Sequence, residues 1–311
     1  MIAVTGFGGH LGQWVVARLT ARGHDVIGIS RSPLDRPTIA GLTWARPVRP
    51  VSCDLSDPGS VATLADVLTP ATALIHLAAF IPEDTGRGLP ADAEATLAAN
   101  VRGTVHLLAA LNAVRPESLV YASTFEVYGA PRSLPIRESH PTEPLSYYGA
   151  SKLAGESYVD LFGRTTGTPS CSVRLPAVYG PGSRIRRALE NFIAAAAAGR
   201  PMVIQGDGAD LRELVFVEDA AEAIVSALER RARGPLNLGT GRGHSILEMA
   251  QAVKAAAGGH ATLTHADRVK PRLDYALDIA RARADLQWAP RTSLQDGIRA
   301  HLRWARGLPI S

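Results

Sequence analysis

Cysteine and long apolar runs are both scarce in this sequence of 311 residues. Its two cysteines, Cys53 and Cys171, cannot form a disulfide framework, and both sit in apolar, strand-like runs where a free cysteine usually packs as a small hydrophobic residue. No apolar run reaches the ~18 residues that a membrane-spanning helix needs, so we expect no membrane segment. The sequence starts at once with Met-Ile-Ala-Val-Thr-Gly, without a charged leader and apolar signal region, which predicts a cytoplasmic protein.

A clustered basic surface is also missing, although the formal net charge is +4 and the sequence pI is about 9.3. The arginines are spread along the chain, with local pairs such as Arg186 and Arg187, and no aromatic residues are interleaved with them in a basic stripe. We therefore expect no nucleic-acid partner and attribute the positive excess to the binding of anionic small molecules. We predict no metal site.

What the sequence does contain is a glycine-rich turn near its beginning. An apolar run at residues 2–5 comes first, three glycines at intervals of three residues follow it, and apolar residues then recur at helical spacing. In such a strand, turn and helix, Gly6 permits the tight turn, Gly9 lets the backbone approach a pyrophosphate and Gly12 allows close helix packing. The pattern predicts a dinucleotide held at the helix N-terminus. A glycine loop with no ligand is the alternative for this motif alone.

The end of the second predicted strand, at residues 25–30, bears on the choice of cofactor. An NAD site usually places Asp or Glu at this point to bind the ribose 2′-hydroxyl, whereas an arginine can accept the 2′-phosphate of NADP. No carboxylate is found here, and Arg31 follows the strand directly. The sequence therefore favours NADP over NAD, with an ordinary solvated arginine as the alternative.

Three further strand-like runs follow, near residues 50–53, 73–77 and 118–122, and helical or loop patterns separate them. Alternating strands and helices are typical of a parallel, doubly wound sheet, which predicts an α/β fold of the Rossmann type. Asp54 follows the third strand, where it could meet the adenine, and small residues follow the fourth. Because ligands bind beyond the carboxyl ends of such strands, we expect a cofactor close to Leu77, Ala78 and Ala79.

The stretch from Ser146 to Glu156 carries the candidate catalytic pair. If it begins a helix, Tyr148 and Lys152 stand four residues apart and project from one face, about one turn from each other. A free phenol has a pKa of about 10, and both a neighbouring ammonium and a positively charged nicotinamide would favour the phenolate. We interpret Tyr148 as the acid–base group and Lys152 as the group that tunes its pKa. A half-buried ring beside a solvated amine is the alternative for the pair taken alone.

Motifs in a consistent order and spacing extend along nearly the whole chain. They are Thr5-Gly6-x-x-Gly9-x-x-Gly12, Asp54-Leu55, His76-Leu77-Ala78-Ala79, Asn100, Ser123-Thr124-x-x-Val127-Tyr128-Gly129, Tyr148-x-x-x-Lys152, Arg174-Leu175-Pro176-x-Val178-Tyr179-Gly180-Pro181, Gly206-Asp207-Gly208, Arg212 to Asp219, and Asn237-Leu238-Gly239-Thr240-Gly241. In these motifs the chain resembles the extended short-chain dehydrogenases/reductases, of the NAD(P)-dependent epimerase/dehydratase family that modifies nucleotide sugars. So many matches favour the catalytic interpretation of Tyr148 and Lys152.

The resemblance implies a catalytic triad in which Thr124 hydrogen-bonds the reacting oxygen, Tyr148 moves its proton, and Lys152 binds the nicotinamide ribose while tuning Tyr148. Hydride transfer at a carbinol or ketone needs such groups, because the oxygen gains or loses a proton as the carbon exchanges hydride. The cofactor contacts implied are Gly6, Phe7, Gly9, His10, Leu11, Gly12, Arg31, Asp54, Leu55, Leu77, Ala78, Ala79, Asn100, Tyr148, Lys152 and Pro176. The substrate contacts implied are Ser123, Arg212 and Arg272, with Arg212 at a diphosphate.

Three departures from the family pattern restrict the function. Family dehydratases commonly carry Thr-Asp-Glu where this chain has Thr124-Phe125-Glu126, so Phe125 argues against a 4,6-dehydratase. Glu126 remains as a candidate catalytic residue, and elimination, decarboxylation and a structural or substrate-orienting role all stay open for it. Ala177 replaces an asparagine that often lies near the substrate phosphates in the family, which removes one expected hydrogen bond to the substrate. An insertion at residues 82–88 predicts a mobile loop over the active site.

We expect a dinucleotide-binding domain at residues 1–175, to which segments near 213–240 return, and a smaller α/β domain at 176–311 that mainly binds substrate. The leading functional prediction is NADP(H)-dependent reduction of a nucleotide-linked 4-keto-6-deoxyhexose. A nucleotide-sugar 4-epimerase with retained NAD is the alternative within the family, and a non-catalytic NADP-sensing binding protein is the alternative from another class. The resemblance also suggests a homodimer formed through the helices that bear Asn100 and Tyr148.

Overall fold

The computed structural model describes residues 1–69, 71–83, 90–269 and 271–308. Its strands are β1 Ile2–Thr5, β2 Val26–Ser30, β3 Val48–Ser52, β4 Ala73–His76, β5 Leu119–Thr124, β6 Ser170–Leu175, β7 Ala177–Tyr179, β8 Met202–Gln205, β9 Leu211–Phe216, β10 Gly234–Asn237, β11 Gly243–Ser245 and β12 Leu263–Ala266. Its α-helices are α1 His10–Ala21, α2 Pro58–Val61, α3 Leu64–Leu68, α4 Pro90–Thr96, α5 Gly103–Val114, α6 Tyr147–Thr166, α7 Ala188–Ala197, α8 Val217–Glu229, α9 Ile246–Ala256, α10 Ala280–Leu286 and α11 Leu294–Ala305. A π-helical segment, Leu97–Arg102, lies between α4 and α5, and a 3-10 turn, Phe125–Tyr128, follows β5.

Seven parallel strands form the main sheet, in the order β10-β6-β5-β4-β1-β2-β3. The chain begins in the interior of this sheet, and β1 and β4 are neighbours, with Thr5 opposite His76 at their carboxyl ends. Because the strand order reverses between these two strands, a crevice is expected beyond their carboxyl ends. The predicted Rossmann-type α/β fold is confirmed, and the first five strands begin and end within two residues of the predicted positions.

Two small sheets accompany the main one. The first has the order β11-β9-β7, with β7 parallel and β11 antiparallel to β9, and the second pairs β12 with β8 in parallel. Of the segments near 213–240, β10 joins the main sheet beside β6, whereas β9 lies in the three-stranded sheet. The division of the chain at residues 175 and 176 stays a prediction.

Apolar residues at helical spacing fix the helices to these sheets. Trp14 and Leu19 belong to the buried face of α1, which packs beside α8 and joins the largest apolar cluster. A different cluster, which includes Phe192, Met249 and Leu302, connects α7, α9 and α11 with the small sheets. Helices α7, α9 and α11 therefore enclose an apolar core of their own, whereas α8 and α10 contribute to the largest cluster.

The predicted loop at residues 82–88 lies mainly outside the described residues, since 84–89 are not among them. Within the described part of the chain, no helix is both long and apolar enough to cross a bilayer. Over the same residues, no group of three or more His, Cys, Asp or Glu side chains is arranged to hold a metal ion.

Candidate functional site

Three candidate catalytic side chains are buried at the end of the main sheet. Thr124 is the last residue of β5, and Tyr148 and Lys152 lie in the first two turns of α6. Helix α6 begins where it does because Ser146 caps it, with the Ser146 Oγ accepting a hydrogen bond of 3.0 Å from the Gly149 N–H. The helix packs against β5 and β6, so the cap sets where Tyr148 and Lys152 stand relative to the sheet.

The Lys152 ammonium is held in an apolar setting. Its Nζ lies 4.0 Å from the centre of the Tyr121 ring, and the side chain is 1% exposed. Burial lowers the pKa of Lys152 to about 7, while Glu156, one turn further along α6, acts to raise it. The attraction of the aromatic ring for a cation and the nearby carboxylate therefore offset part of the cost of burying this amine.

Burial has the opposite consequence for Tyr148. It raises the pKa of the phenol well above its ordinary value, the Glu126 carboxylate raises it further, and Arg187 lowers it. From the sequence, a neighbouring ammonium was expected to favour the phenolate. In the structure, loss of solvent outweighs the charged neighbours, so the protein by itself keeps the Tyr148 phenol protonated.

Glu126 stands between two structural units of the site. It lies on the 3-10 turn after β5, and its carboxylate accepts a hydrogen bond of 3.0 Å from the Ser146 Oγ. The same carboxylate forms an ion pair of 3.4 Å with Arg187, the residue immediately before α7. The side chain that the sequence left with several open roles is therefore tied both to the cap of α6 and to the start of α7.

Ser123, a predicted substrate contact, directs its hydroxyl to a buried carboxylate, and its contact with substrate stays a prediction. Its Oγ donates a hydrogen bond of 2.5 Å to Glu156, and Arg174 donates to both oxygens of that carboxylate, with a shortest distance of 2.7 Å. Arg174 also donates to the Tyr128 hydroxyl, which in turn donates to Asn237. Sequence reasoning did not identify this network. The spacing of four residues between Lys152 and Glu156 was the available signal, because it places both on one face of α6.

The glycine loop after β1 has the shape of a phosphate cradle. A Cβ on Gly6, whose φ is +70°, would lie 2.7 Å from the Ala78 backbone nitrogen, and a Cβ on Gly12 would lie 2.3 Å from the Gly6 carbonyl oxygen. Gly9 is exposed and directly precedes α1, with only the Gly6 oxygen close to where its Cβ would be. Bare backbone at the start of a 12-residue helix fits a pyrophosphate group.

A buried histidine fixes the strand ends beside this loop. The Thr104 hydroxyl donates to the Asn100 carbonyl oxygen, so it accepts from His76 Nε2 at 3.0 Å. The Thr5 hydroxyl accepts from the Ala78 N–H and therefore donates to His76 Nδ1 at 2.6 Å. Burial lowers the pKa of His76 to about 3, which agrees with this neutral form. The chain holds the backbone of Ala78 at the carboxyl ends of β1 and β4.

The side chain of Asn100 is engaged within the protein. Its Oδ1 accepts from the Phe80 N–H at 2.7 Å, and its Nδ2 donates to the Phe80 carbonyl oxygen and to Ser151 Oγ. Asn100 thus joins the segment after β4 to α6. Direct contact of its side chain with a cofactor stays a prediction.

The remaining predicted cofactor residues lie just after strands of the main sheet or in the first turn of α1. Arg31 directly follows β2 and is exposed, and the pKa of the nearby Asp54 is lowered by hydrogen bonds from Ser56. Phe7 is fully buried, with its ring packed over Gly28. The four others are His10 and Leu11 in the first turn of α1, Leu55 against Gly103, and Pro176 between β6 and β7.

A pocket of about 580 Å³ lies beside the candidate catalytic residues. Phe125, Glu126 and Ser146 line the side next to the main sheet. Charged residues are spread over the rest of its wall: the arginines are Arg186, Arg187, Arg212 and Arg268, and the acidic residues include Glu190, Asp210 and Glu213. Arg187 and Arg268 were not predicted as site residues. For Arg187, the available signal was its place in a pair of arginines, at 186 and 187, just before a helical pattern.

The two arginines predicted at the substrate differ in their surroundings. Arg212 lines the pocket, donates to the carbonyl oxygens of Leu211 and Leu273, and lies 5.9 Å from the centre of the Tyr275 ring. Arg272 faces Asp274, with which it forms an ion pair of 2.9 Å, and it is not among the residues that line the pocket. Arg212 is therefore the better placed of the two to meet a ligand.

Glu213, next to Arg212, joins three segments beneath this pocket. Its buried carboxylate accepts hydrogen bonds from the backbone N–H groups of Thr240, Gly241 and Leu277, at 2.5, 2.8 and 2.5 Å. Burial raises its pKa to about 7, and these hydrogen bonds oppose the shift. Glu213 thus positions β9 against the loop after β10 and the segment before α10.

Comparison with known proteins gives a consistent result over the length of the chain. A UDP-glucose 4-epimerase from Mycolicibacterium smegmatis is 34% identical over 308 residues, which cover 95% of each chain. The structure of MoeE5 in complex with UDP-glucose and NAD superposes with a TM-score of 0.85 at 28% identity, covering 98% of each chain. The UDP-glucose 4-epimerase of Thermus thermophilus in complex with NAD has a TM-score of 0.83 at 29% identity, covering 98% of this chain and 99% of that one.

The sequence pattern that describes the NAD dependent epimerase/dehydratase family matches residues 2–239 of this chain. The matched range contains the glycine loop, Thr124, Tyr148, Lys152 and the pocket residue Arg212. The resemblance noted from the motifs is thereby confirmed. The chain is an enzyme that belongs to the NAD dependent epimerase/dehydratase family.

Proposed function

We propose that this enzyme is a UDP-sugar 4-epimerase that interconverts UDP-glucose and UDP-galactose with NAD as a retained cofactor. The observation that carries the proposal is the likeness to the Mycolicibacterium smegmatis UDP-glucose 4-epimerase over 95% of both chains. The likeness to MoeE5 in complex with UDP-glucose and NAD, and to the Thermus thermophilus epimerase in complex with NAD, agrees with it. The 4-ketoreductase prediction has no such support among these relatives, and no residue of the described pocket favours it.

Epimerisation at C4 requires that a hydroxyl proton leave and return while the carbon loses and regains hydride. Bound NAD supplies the hydride acceptor and donor. As the phenolate, Tyr148 would take the proton from the C4 oxygen while hydride leaves, and as the phenol it would later return that proton; the positive charge of bound nicotinamide would offset the burial that otherwise keeps Tyr148 protonated. Thr124, at the end of β5, would hold the same oxygen by a hydrogen bond. Lys152 would bind the nicotinamide ribose and, by its charge, favour the phenolate.

Retention of the cofactor is supported by the number of segments that meet in the crevice. The backbone at Gly6, Gly9 and α1 fits the pyrophosphate, and the small residues after β4 leave room for the nicotinamide half. The presence of Arg31 and the absence of a carboxylate directly after β2 favour NADP. We propose NAD nevertheless, because the similar structures named above contain NAD, and we interpret Arg31 as a solvated side chain.

The pocket beside Tyr148 is proposed to bind the UDP-sugar. Its volume falls within the ~300 to 1,000 Å³ that is usual for small-molecule sites. Arg212 is proposed to bind the diphosphate, because a planar guanidinium is suited to paired hydrogen bonds with phosphate oxygens. Ala177 removes one contact seen in the family pattern, so a larger share of the phosphate binding would fall to the arginines.

A homodimer is proposed through the helices around Asn100 and Tyr148. Large apolar side chains on these helices are partly exposed, namely Leu97 before α5 and Tyr158 and Leu161 on α6. Because α5 and α6 pack side by side, these residues can contribute to one apolar surface that a second copy would cover.

The test combines product and cofactor analysis. Purified enzyme is incubated with UDP-glucose without added cofactor, and UDP-galactose is measured by anion-exchange chromatography. The cofactor released from freshly purified protein is identified by mass spectrometry. Formation of UDP-galactose together with bound NAD is expected. Absence of bound cofactor, with turnover of a 4-keto sugar that depends on added NADPH, would instead establish the reductase.

A further inference from the structure

The aromatic ring under the Lys152 amine belongs to Tyr121, in the middle of β5. Side chains two residues apart on a strand point to the same face of the sheet, so Tyr121 and Ser123 both face α6. Ser123 meets Glu156 there, and the Tyr121 ring meets Lys152 Nζ at 4.0 Å from its centre. One face of β5 therefore contacts two successive turns of the helix that carries the candidate catalytic pair.

The ring of Tyr121, and not its hydroxyl, is the part that faces the amine. The hydroxyl oxygen is buried and has no hydrogen-bond partner in the described part of the chain. It lies against Gly155, where an added Cβ would be 2.1 Å from this oxygen. Gly155 thus gives the phenol room beneath α6, and the helix can approach β5 closely enough for Lys152 to reach the ring face.

A histidine restricts the ring from the neighbouring strand. His76 is opposite Tyr121 in the register of β4 and β5, and the centres of the two rings are 5.4 Å apart. Thr5 and Thr104 hold the two imidazole nitrogens, so the imidazole is itself fixed. The Tyr121 ring has close neighbours on β4 and on α6, which leave it little freedom to turn away from Lys152.

The charged groups around Lys152 do not replace the ring. Glu156 acts to raise the pKa of Lys152, but its carboxylate already accepts hydrogen bonds from Arg174 and Ser123. Burial keeps the Tyr121 and Tyr148 phenols protonated and His76 neutral. The other titratable groups on elements packed against α6 include Arg174 on β6, Glu126 on the 3-10 turn, Arg102 on the π-helical segment, Asp92 and Glu94 on α4, and His106 on α5. Of these, Glu126 is paired with Arg187, and Arg102 with Glu94.

We propose that Tyr121 is a positioning residue of this enzyme, whose ring face holds the Lys152 amine in place and favours its charged form. The face of an aromatic ring is electron-rich and attracts a cation, most strongly where water is excluded. Lys152 is 1% exposed, so the ring takes the place of solvent. The proposal deepens the function proposed above, because it rests on Lys152 as the group that binds the nicotinamide ribose and favours the Tyr148 phenolate.

The sequence makes a direct test practical, because it contains only three lysines: Lys152, Lys254 and Lys270. Lysine labelled with ¹³C at Cε gives one NMR signal for each of them, and the position of that signal follows the ionisation of the amine. The variants Lys254→Arg and Lys270→Arg assign the Lys152 signal by elimination. Titration of the full-length protein, with NAD present at a saturating concentration, then gives the pKa of Lys152.

A series of rings at position 121 separates attraction from packing. Tyr121→Phe keeps the ring and removes only the unpaired hydroxyl, so the pKa of Lys152 should stay within about 0.3 units of the parent value. Difluorinated and then pentafluorinated phenylalanine at this position change the size of the ring little but withdraw electrons from its face. We expect the pKa of Lys152 to fall stepwise along this series, by about 1 unit in total, and Tyr121→Leu to lower it by a similar amount.

Turnover of UDP-glucose is measured on the same proteins. The pKa of Lys152 is about 7, so a fall of about 1 unit lowers the charged fraction at pH 7 from about one half to about one tenth. The value of kcat/KM at pH 7 should therefore fall about 5-fold in the pentafluorinated variant and stay within about 2-fold in Tyr121→Phe. An unchanged kcat/KM beside a lowered pKa of Lys152 would show that the ring has no part in the reaction.

A pKa of Lys152 that stays constant along the fluorinated series overturns the proposal. So does a Tyr121→Phe variant that behaves like Tyr121→Leu, because the hydroxyl would then be the active part. Both outcomes leave the epimerase function standing. If the protein fails to convert UDP-glucose while the pKa of Lys152 follows the series, the proposed function fails and the contact between ring and amine is supported. The fluorinated rings keep the proposal testable even if Tyr121→Leu folds poorly.

Discussion

Replacement of Glu156 by glutamine should be among the most destabilising single changes in this enzyme. Arg174 and Glu156 are 5% and 7% exposed, and the guanidinium gives the carboxylate three hydrogen bonds. The substitution leaves the Arg174 charge buried without its partner, because the network around it prevents rehydration. Removing one member of a buried pair costs about 3 to 5 kcal/mol. Arg174 keeps its bonds to the Tyr128 hydroxyl and the Glu138 carbonyl oxygen, which favours the lower end of that range.

The measurement is chemical denaturation followed by circular dichroism, with thermal melting as a second readout. A loss of about 3 kcal/mol corresponds to a fall of roughly 5 °C in Tm for a chain of 311 residues, because the unfolding entropy is about 2.1 cal/mol/K per residue. The matched control is Asp160→Asn, on the same helix, which removes an exposed ion pair of 3.0 Å to Arg164 and should cost no more than about 0.5 kcal/mol. A Glu156→Gln variant within about 1 kcal/mol of this control would refute the argument.

The same variant has a second expected consequence, at Lys152. Glu156 acts to raise the pKa of Lys152, which burial has lowered to about 7. Without this carboxylate the pKa falls further, so fewer molecules carry a charged Lys152 at neutral pH. The pH below which the ammonium is formed should therefore move downwards in Glu156→Gln. The shift can be followed in the pH profile of kcat/KM for the fraction of variant that folds.

Five further substitutions test the site directly. Tyr148→Phe should abolish turnover with little loss of NAD affinity, because only the proton-carrying hydroxyl is removed; near-normal kcat would exclude Tyr148 as the acid–base group. In the pH profile of kcat/KM, one limb should report ionisation of the Tyr148 phenol. Glu126→Gln should move this limb to lower pH, because the Glu126 carboxylate raises the pKa of Tyr148. Arg187→Gln should move it to higher pH, because Arg187 lowers the same pKa. Arg212→Ala should weaken UDP-sugar binding by about 10- to 150-fold, because a charge-assisted hydrogen bond contributes roughly 1.5 to 3 kcal/mol. NAD binding should stay unchanged in the same titration. If a sugar fragment without the diphosphate loses as much affinity as the UDP-sugar, Arg212 has a structural role. Arg31→Asp should not alter a preference for NAD if Arg31 is only solvated, and a large rise in the NADP dissociation constant alone would show that it reads the cofactor.

Much of the architecture was accessible from the sequence because parallel strands are apolar along their whole length. The runs that became β1, β2 and β4 are continuous apolar stretches that turns and helices separate, so their order along the chain indicated a doubly wound sheet. Tyr148 and Lys152 were placed on one helix by spacing alone, and the structure has both in α6.

The parts that the sequence did not reveal depend on partners that are far apart in the chain. Ser123 was assigned to the substrate because of its motif, yet its hydroxyl meets Glu156, 33 residues later. Charged side chains are rarely buried unless they are paired, and a sequence does not show the pairing. From the sequence, Arg174 and Glu156 are therefore expected at the surface, although both are buried in the structure. The raised pKa of Tyr148 likewise could not be foreseen, because desolvation depends on packing that no local pattern encodes.

The π-helical segment Leu97–Arg102 has a consequence for how this enzyme is compared with its relatives. A π turn spans one residue more than an α turn, so a regular helix at this place would be one residue shorter. The wider turn accommodates the additional residue, so α4 and α5 on either side keep the helical phase that they would have in a regular helix one residue shorter. An alignment with a relative whose helix is regular needs a one-residue gap inside this segment, and without that gap every position of α4 would be matched to the wrong neighbour.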